Sequence, residues 1–148
     1  MTSILVVNGP NLGRLGSREP EIYGSDTLAD IEAMLQEQAG EGWSLECVQS
    51  DDEAELIALM HRAVDTQTPV ILNPAAFSHY SYALRDACAM VTSAGVPLIE
   101  VHLSNPHARE EFRHHSVISA VATGVIAGFG KDSYRLALEQ MMALVGRH

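Results

Sequence analysis

Apolar residues come in short unbroken runs that alternate with stretches of helical spacing. Ile4-Leu5-Val6-Val7, Val70-Ile71-Leu72 and Leu98-Ile99 are such runs, bounded by polar or turn residues. A continuous run of this length is what a strand covered on both faces requires. Strands are therefore predicted at Ser3–Asn8, about Ser44–Gln49, Val70–Asn73, Pro97–Leu103 and about Thr123–Gly128. Between them the period changes. Leu28, Ile31, Met34 and Leu35 share one face of a helix over about Thr27–Ala39, opened by Thr27 with Asp30 three residues on as a capping box and closed by Gly40 and Gly42. Leu56, Ile57, Leu59, Met60, Ala63 and Val64 mark a second helix after Asp51-Asp52. Further helices are expected over about Tyr80–Ala94, Ala108–His114 and Asp132–Val145.

Strands each followed by a helix predict a doubly wound parallel α/β sheet. A flavodoxin-like, five-stranded order of 2-1-3-4-5 is the expected topology, in a single domain over 1–148. In such sheets ligands lie at the carboxyl ends of the strands, near the switch in strand order. The segment after the first strand, about 9–25, is longer than the ~2–6 residues usual in α/β connections, and long connections of this kind tend to be lids or binding loops. The loops after strands one, three and four collect Asn11, Arg14, Arg18 and Tyr23; Asn73 and His79; and His102, Ser104, Arg109 and Arg113.

Composition narrows the partners. A net charge of −10 argues against nucleic acid and anionic membranes, so any anionic ligand must be drawn by local arginines. Cys47 and Cys88 read as buried free thiols of a reducing compartment. No signal pattern or long apolar run appears, and a cytoplasmic protein is expected. Lys131 is the only lysine and has no evident partner. The glycines of 9–16 match neither dinucleotide-binding nor Walker patterns, and the histidines His102, His107, His114 and His115 are poorly spaced for a metal. No cofactor and no metal are expected.

Three pairings carry chemistry. A guanidinium about 5 Å from a phenol supplies ~3 kcal/mol to its ionised form at an effective dielectric near 20, enough to make Tyr23 beside Arg18 or Arg14 a usable base. The alternative is a packing tyrosine beneath solvent-facing arginines. Glu100 and His102 stand two apart in a strand, hence on one face, where a buried carboxylate would orient and charge the imidazole. A purely structural Glu–His pair is the alternative. Arg109 and Arg113, four apart, suit a carboxylate, unless Glu110 and Glu111 occupy them. His61 and His148 carry no expected role.

With these residues in place, the chain resembles type II 3-dehydroquinate dehydratase almost end to end. The likeness rests on Asn8 through Leu12, Arg18 through Gly24, Asn73-Pro74 to His79, Ala83 through Ala87, and Ile99 through Ser116. The resemblance implies a flavodoxin-like lyase without metal or cofactor, converting 3-dehydroquinate to 3-dehydroshikimate in the shikimate pathway. Tyr23 would take the C2 proton and Arg18 would stabilise the tyrosinate. His102, backed by Glu100, would protonate the departing hydroxyl. Asn11 would hold a water on the enolate oxygen. Asn73, His79, Leu103, Ser104 and Arg113 would bind substrate, and Asp86 would reach a neighbouring subunit's site in a dodecamer, a tetramer of trimers. A role in quinate breakdown and a non-catalytic small-anion module are the alternatives. Departures from the family pattern fall at Gly13-Arg14, at Ala75-Ala76-Phe77 where Gly-Ala-Tyr is commoner, and at Tyr80; they bear on lid mobility and pocket fit.

Overall fold

The computed structural model describes residues 1–146. Five parallel strands, β1 (Thr2–Asn8), β2 (Trp43–Gln49), β3 (Val70–Asn73), β4 (Leu98–His102) and β5 (Gly124–Ala127), form one sheet in the order β2-β1-β3-β4-β5. The expected topology holds, with no strand end moved by more than one residue.

The alternation of side chains along the strands builds two cores, one on each face. Leu5, Val7, Val70, Leu72 and Leu98 point to one side, where α3 (Glu53–Thr66) and α4 (Tyr82–Ser93) cover them with Leu56, Met60, Leu84 and Cys88. Ile4, Val6, Ile71, Ile99 and Val101 point to the other, against Ile31 and Leu35 of α2 (Leu28–Ala39) and Ala137, Leu138 and Met141 of α5 (Asp132–Val145). Burial on both faces is why β1 and β3 read as unbroken apolar runs.

The helices start where side-chain caps allow. Thr27 and Asp30 close both bonds of the capping box, at 2.9 and 3.1 Å. Asp52 caps α3 through the Ala54 amide, and Ser81 caps α4 through the Leu84 amide. Position 80 therefore precedes the helix rather than opening it. The largest revision concerns 108–114. No α-helix forms there: two 3-10 turns, Pro106–Ala108 and Glu111–Arg113, flank Arg109, whose backbone is extended at φ −117° and ψ −164°. Pro106 and the Asn105 cap on the His107 amide favour an isolated turn.

Strands β1 and β3 end side by side, Asn8 opposite Asn73. Gly9 follows directly, and its amide donates to the Asn73 carbonyl at 2.8 Å. A Cβ at position 9 would meet the Pro74 carbonyl oxygen at 2.8 Å, so only glycine lets the two loops leave the sheet together.

Candidate active site

The carboxyl edge of the sheet carries a cleft lined by Asn11, Arg18, Tyr23, Asn73, His79, His102, Leu103, Ser104, Arg109 and Arg113, closed in by Pro10, Leu12, Ala75, Ala76 and Pro106. The loops after β1, β3 and β4 supply them, together with Asn73 and His102 at the ends of β3 and β4. The site sits where strand order reverses, between β1 and β3, as the topology requires.

The segment after β1 is not featureless. Leu12–Arg14 forms a 3-10 turn and Pro20–Tyr23 a single helical turn, α1, with Pro20 at its first position. Leu12 and Leu15 are buried and anchor it to the α2 side of the core. Asn11 and Glu19 have positive φ, 70° and 38°, at the two bends. The Asn11 amide donates to Asp51 at 2.8 Å, which gives Asp51 a role other than capping. α1 turns Tyr23 inward. Arg18 Nη2 donates to the Tyr23 hydroxyl at 3.3 Å, and its guanidinium lies 4.3 Å from the ring centroid. Arg109 approaches the same ring at 5.0 Å. Arg18, not Arg14, is thus the arginine at the phenol; Arg14 is exposed. Arg109 is a second cation that its spacing to Arg113 did not connect with Tyr23. Lys131 pairs with Asp26 at 3.6 Å, tying the end of this segment to the start of α5; it does not line the cleft.

On β4, Glu100 and His102 follow strand parity. Glu100 is fully buried, and its Oε2 accepts from His102 Nε2 at 2.5 Å. The same oxygen accepts from Ser116 Oγ at 2.8 Å, and Oε1 accepts from Ser119 Oγ at 2.6 Å. Burial alone would raise this carboxyl; the hydrogen bonds from His102, Ser119 and Ser116 outweigh it and hold the group below the usual range. Glu100 is therefore an anion beneath His102. With Nε2 committed to Glu100, Nδ1 is the ring nitrogen left for the cleft.

Asn73 sits at the floor, 3% exposed. Its Oδ1 accepts from the Ala75 amide and its Nδ2 donates to the Tyr134 hydroxyl at 2.8 Å; that hydroxyl in turn donates to Asn8 Oδ1 at 2.5 Å. Burial pushes the Tyr134 phenol far above its ordinary value, so it stays a donor. One N–H of Asn73 remains for a ligand. Ala75 lies at φ 52°, a region a glycine would occupy without strain. His79 Nδ1 bonds the His115 carbonyl at 3.0 Å. Burial lowers His79, with the neighbouring His102 and Arg113 charges acting in the same direction. Arg113 bonds Glu110 at 3.2 Å, and Glu110 also stands 3.9 Å from Arg109; Glu111 is not their partner. Like Arg14, Asp86 does not line the cleft; it is exposed on α4 and paired with Arg85 at 2.9 Å.

The cleft at the switch point of this flavodoxin-like sheet is lined by a phenol under two guanidiniums and by a carboxylate-backed imidazole, residue types that enzymes use for acid–base work. Residues 2–142 match the family model "Dehydroquinase class II". The chain belongs to the class II dehydroquinase family. It is 59% identical over 142 residues to 3-dehydroquinate dehydratase from Salinispora tropica, covering 95% of this chain and 96% of that one. It is 61% identical over 136 residues to the enzyme of the same name from Kineococcus radiotolerans, covering 91% of each. The crystal structure of type II dehydroquinase from Propionibacterium acnes superposes with a TM-score of 0.92 at 51% identity, covering 97% of both chains.

Proposed function

We propose that this protein dehydrates 3-dehydroquinate to 3-dehydroshikimate in the shikimate pathway, by anti elimination through an enolate. The observation that carries the reading is that Tyr23, with Arg18 at its hydroxyl, and His102, with Glu100 buried behind it, line one cleft from different strands. A ligand that merely binds has no use for a base facing an acid.

The Tyr23 oxygen removes the C2 proton, and the electrons of that bond move toward the C3 carbonyl as an enolate. Arg18 and Arg109 stabilise negative charge on the phenol oxygen before the transfer. Asn11 holds a water on the enolate oxygen. The enolate then re-forms the ketone, the C1–oxygen bond breaks with its electrons on oxygen, and His102 Nδ1 supplies the proton that turns this oxygen into water. Glu100 balances the imidazolium. Arg113, Asn73, His79, Ser104 and the Leu103 backbone grip the ring substituents and carboxylate. The route asks the protein for a base, an acid and oxyanion donors only.

The working form is a cytoplasmic dodecamer, a tetramer of trimers. Exposed Tyr80, Tyr82, Met90 and Phe112, and Asp86 standing clear of its own cleft, support a neighbour covering this side of the protomer. Among the described residues no helix is long and apolar enough to cross a membrane.

The test is absorbance of the conjugated enone. Protein mixed with 3-dehydroquinate and a chelator should raise it, while quinate and shikimate should not. Ligand-induced stabilisation without product would replace the enzyme with a binding module.

A further inference from the structure

We propose that Ser116 and Ser119 are positioning residues of this site, two hydroxyls that fix Glu100 as an oriented anion and so keep the proton of the Glu100–His102 bridge on the imidazole. The proposal rests on the reading of His102 as the acid.

The local geometry leaves Ser116 one option. Its Oγ accepts from the Ile118 amide at 3.1 Å and from the Ser119 amide at 3.2 Å. A hydroxyl has two lone pairs and one proton. With both lone pairs engaged, the proton goes to Glu100 Oε2, 2.8 Å away. The turn that carries these hydroxyls is itself pinned. The Val117 amide donates to the Ser78 carbonyl at 2.7 Å, and Ile118 is fully buried in the α4-side core. Ser119 Oγ reaches the other oxygen, Oε1, at 2.6 Å. Every bond to the carboxylate therefore comes from a donor whose position the fold sets beforehand.

The consequence concerns where one proton resides. In the bridge it can sit on Oε2, giving a neutral pair, or on Nε2, giving carboxylate and imidazolium. Burial of Glu100, taken alone, favours the neutral pair. Two hydroxyl donors on the carboxylate reverse that preference, because they bond the anion more strongly than the acid. Only the imidazolium carries a proton on Nδ1 as well as Nε2. It can thus hand one to a departing hydroxyl and remain a neutral ring, still bonded to Glu100. The other groups facing the pair do not do this. Cys88, beneath Glu100 on α4, is pushed up to about 12 and stays a neutral thiol. His79, lowered by burial, is a neutral neighbour that accepts no such role, and Arg109 and Arg113 in the same cleft are cations that offer the carboxylate no bond.

The experiment compares kcat, KM and the pH profile of Ser119→Ala, Ser119→Thr, His102→Ala and the Ser119→Ala/His102→Ala double variant. Losing one donor to a charged group predicts a fall in kcat of about 10- to 100-fold for Ser119→Ala. The loss should hold at every pH of the profile, with KM within about twofold. Ser119→Thr keeps the hydroxyl and should restore kcat. In the His102→Ala background, Ser119→Ala should cost nothing further, because the proton it controls is gone. A Ser119→Ala kcat within twofold of wild type overturns the proposal, as does a loss carried by KM or one that adds fully to His102→Ala. Should Ser119→Ala not fold, Ser119→Cys, near-isosteric with a weak donor, carries the same expectation. Near-normal turnover of His102→Ala would instead overturn the acid itself, so the two failures are distinct.

Discussion

Replacing Tyr134 by Phe removes one oxygen from the interior and breaks two hydrogen bonds, the donation to Asn8 Oδ1 at 2.5 Å and the acceptance from Asn73 Nδ2 at 2.8 Å. Tyr134 is fully buried, and Asn8 and Asn73 are 1% and 3% exposed, so water cannot replace the partner. Asn8 Nδ2 already has no partner among the described residues, which leaves that side chain no second bond to fall back on. Each lost bond is worth roughly 0.5–1.5 kcal/mol, and each buried group left unpaired adds roughly 1–3 kcal/mol. Partial relaxation of the two amides trims the sum, and about 3 kcal/mol is expected. For a protein of this size that lowers the melting temperature by about 6–12 °C. Trp43, the only tryptophan, reports unfolding by fluorescence. Urea or heat denaturation must be run at one protomer concentration, because assembly contributes to apparent stability. The released Asn73 amide should also raise KM more than it lowers kcat. A loss below about 0.5 kcal/mol would show that the Asn8–Tyr134–Asn73 chain does not hold the floor of the site in the way its geometry states.

Two further outcomes follow from the same packing. Gly9→Ala places a Cβ 2.8 Å from the Pro74 carbonyl oxygen, a backbone atom that cannot swing aside. Overpacking of this kind costs about 1–3 kcal/mol, and it pushes apart the two loops that frame the cleft, so melting temperature should fall and KM rise; an unchanged melting curve would refute the close approach. Acid should destabilise the protein in two stages, read by denaturation midpoints against pH. His79 lies below its ordinary 6.5 when folded, so the unfolded chain takes that proton first and stability declines as pH falls past this value. Glu100 lies below its ordinary 4.5, so its contribution is complete above that pH and is lost as pH drops through the folded value. Glu100→Gln should remove the second stage; a second stage that persists unchanged would assign it to other carboxylates.

Elements whose signal is local were legible in the sequence. β1 and β3 announce themselves because both faces of the sheet are covered, and Glu100 with His102 because side chains alternate along a strand. Thr27 with Asp30 is a bond between neighbours, and it forms as written. Partners far apart in the chain left no such trace. Tyr134 and Asn8 are 126 residues apart, and nothing around Tyr134 marks it as part of the site. Ser116 stood inside a conspicuous motif, yet its hydroxyl has meaning only once Glu100, 16 residues earlier, is folded against it. The segment 108–114 misled because charged and aromatic residues permit a helix, while Pro106, the Asn105 cap and the extended Arg109 divide it into two turns. The turn at Pro20–Tyr23 was hidden inside a glycine-rich stretch, although proline at a first helical position is itself a start signal.

The phenol opposite the imidazole is the centre of the account, and Tyr23→Phe addresses it with one atom. Enone formation should be followed for this variant beside wild type, with ligand binding measured by calorimetry on the same samples. Turnover lower by at least about 10³-fold, with affinity within a few-fold, is the outcome expected when a catalytic base is removed and its packing kept. Turnover within about tenfold of wild type would contradict the assignment of Tyr23 as the base.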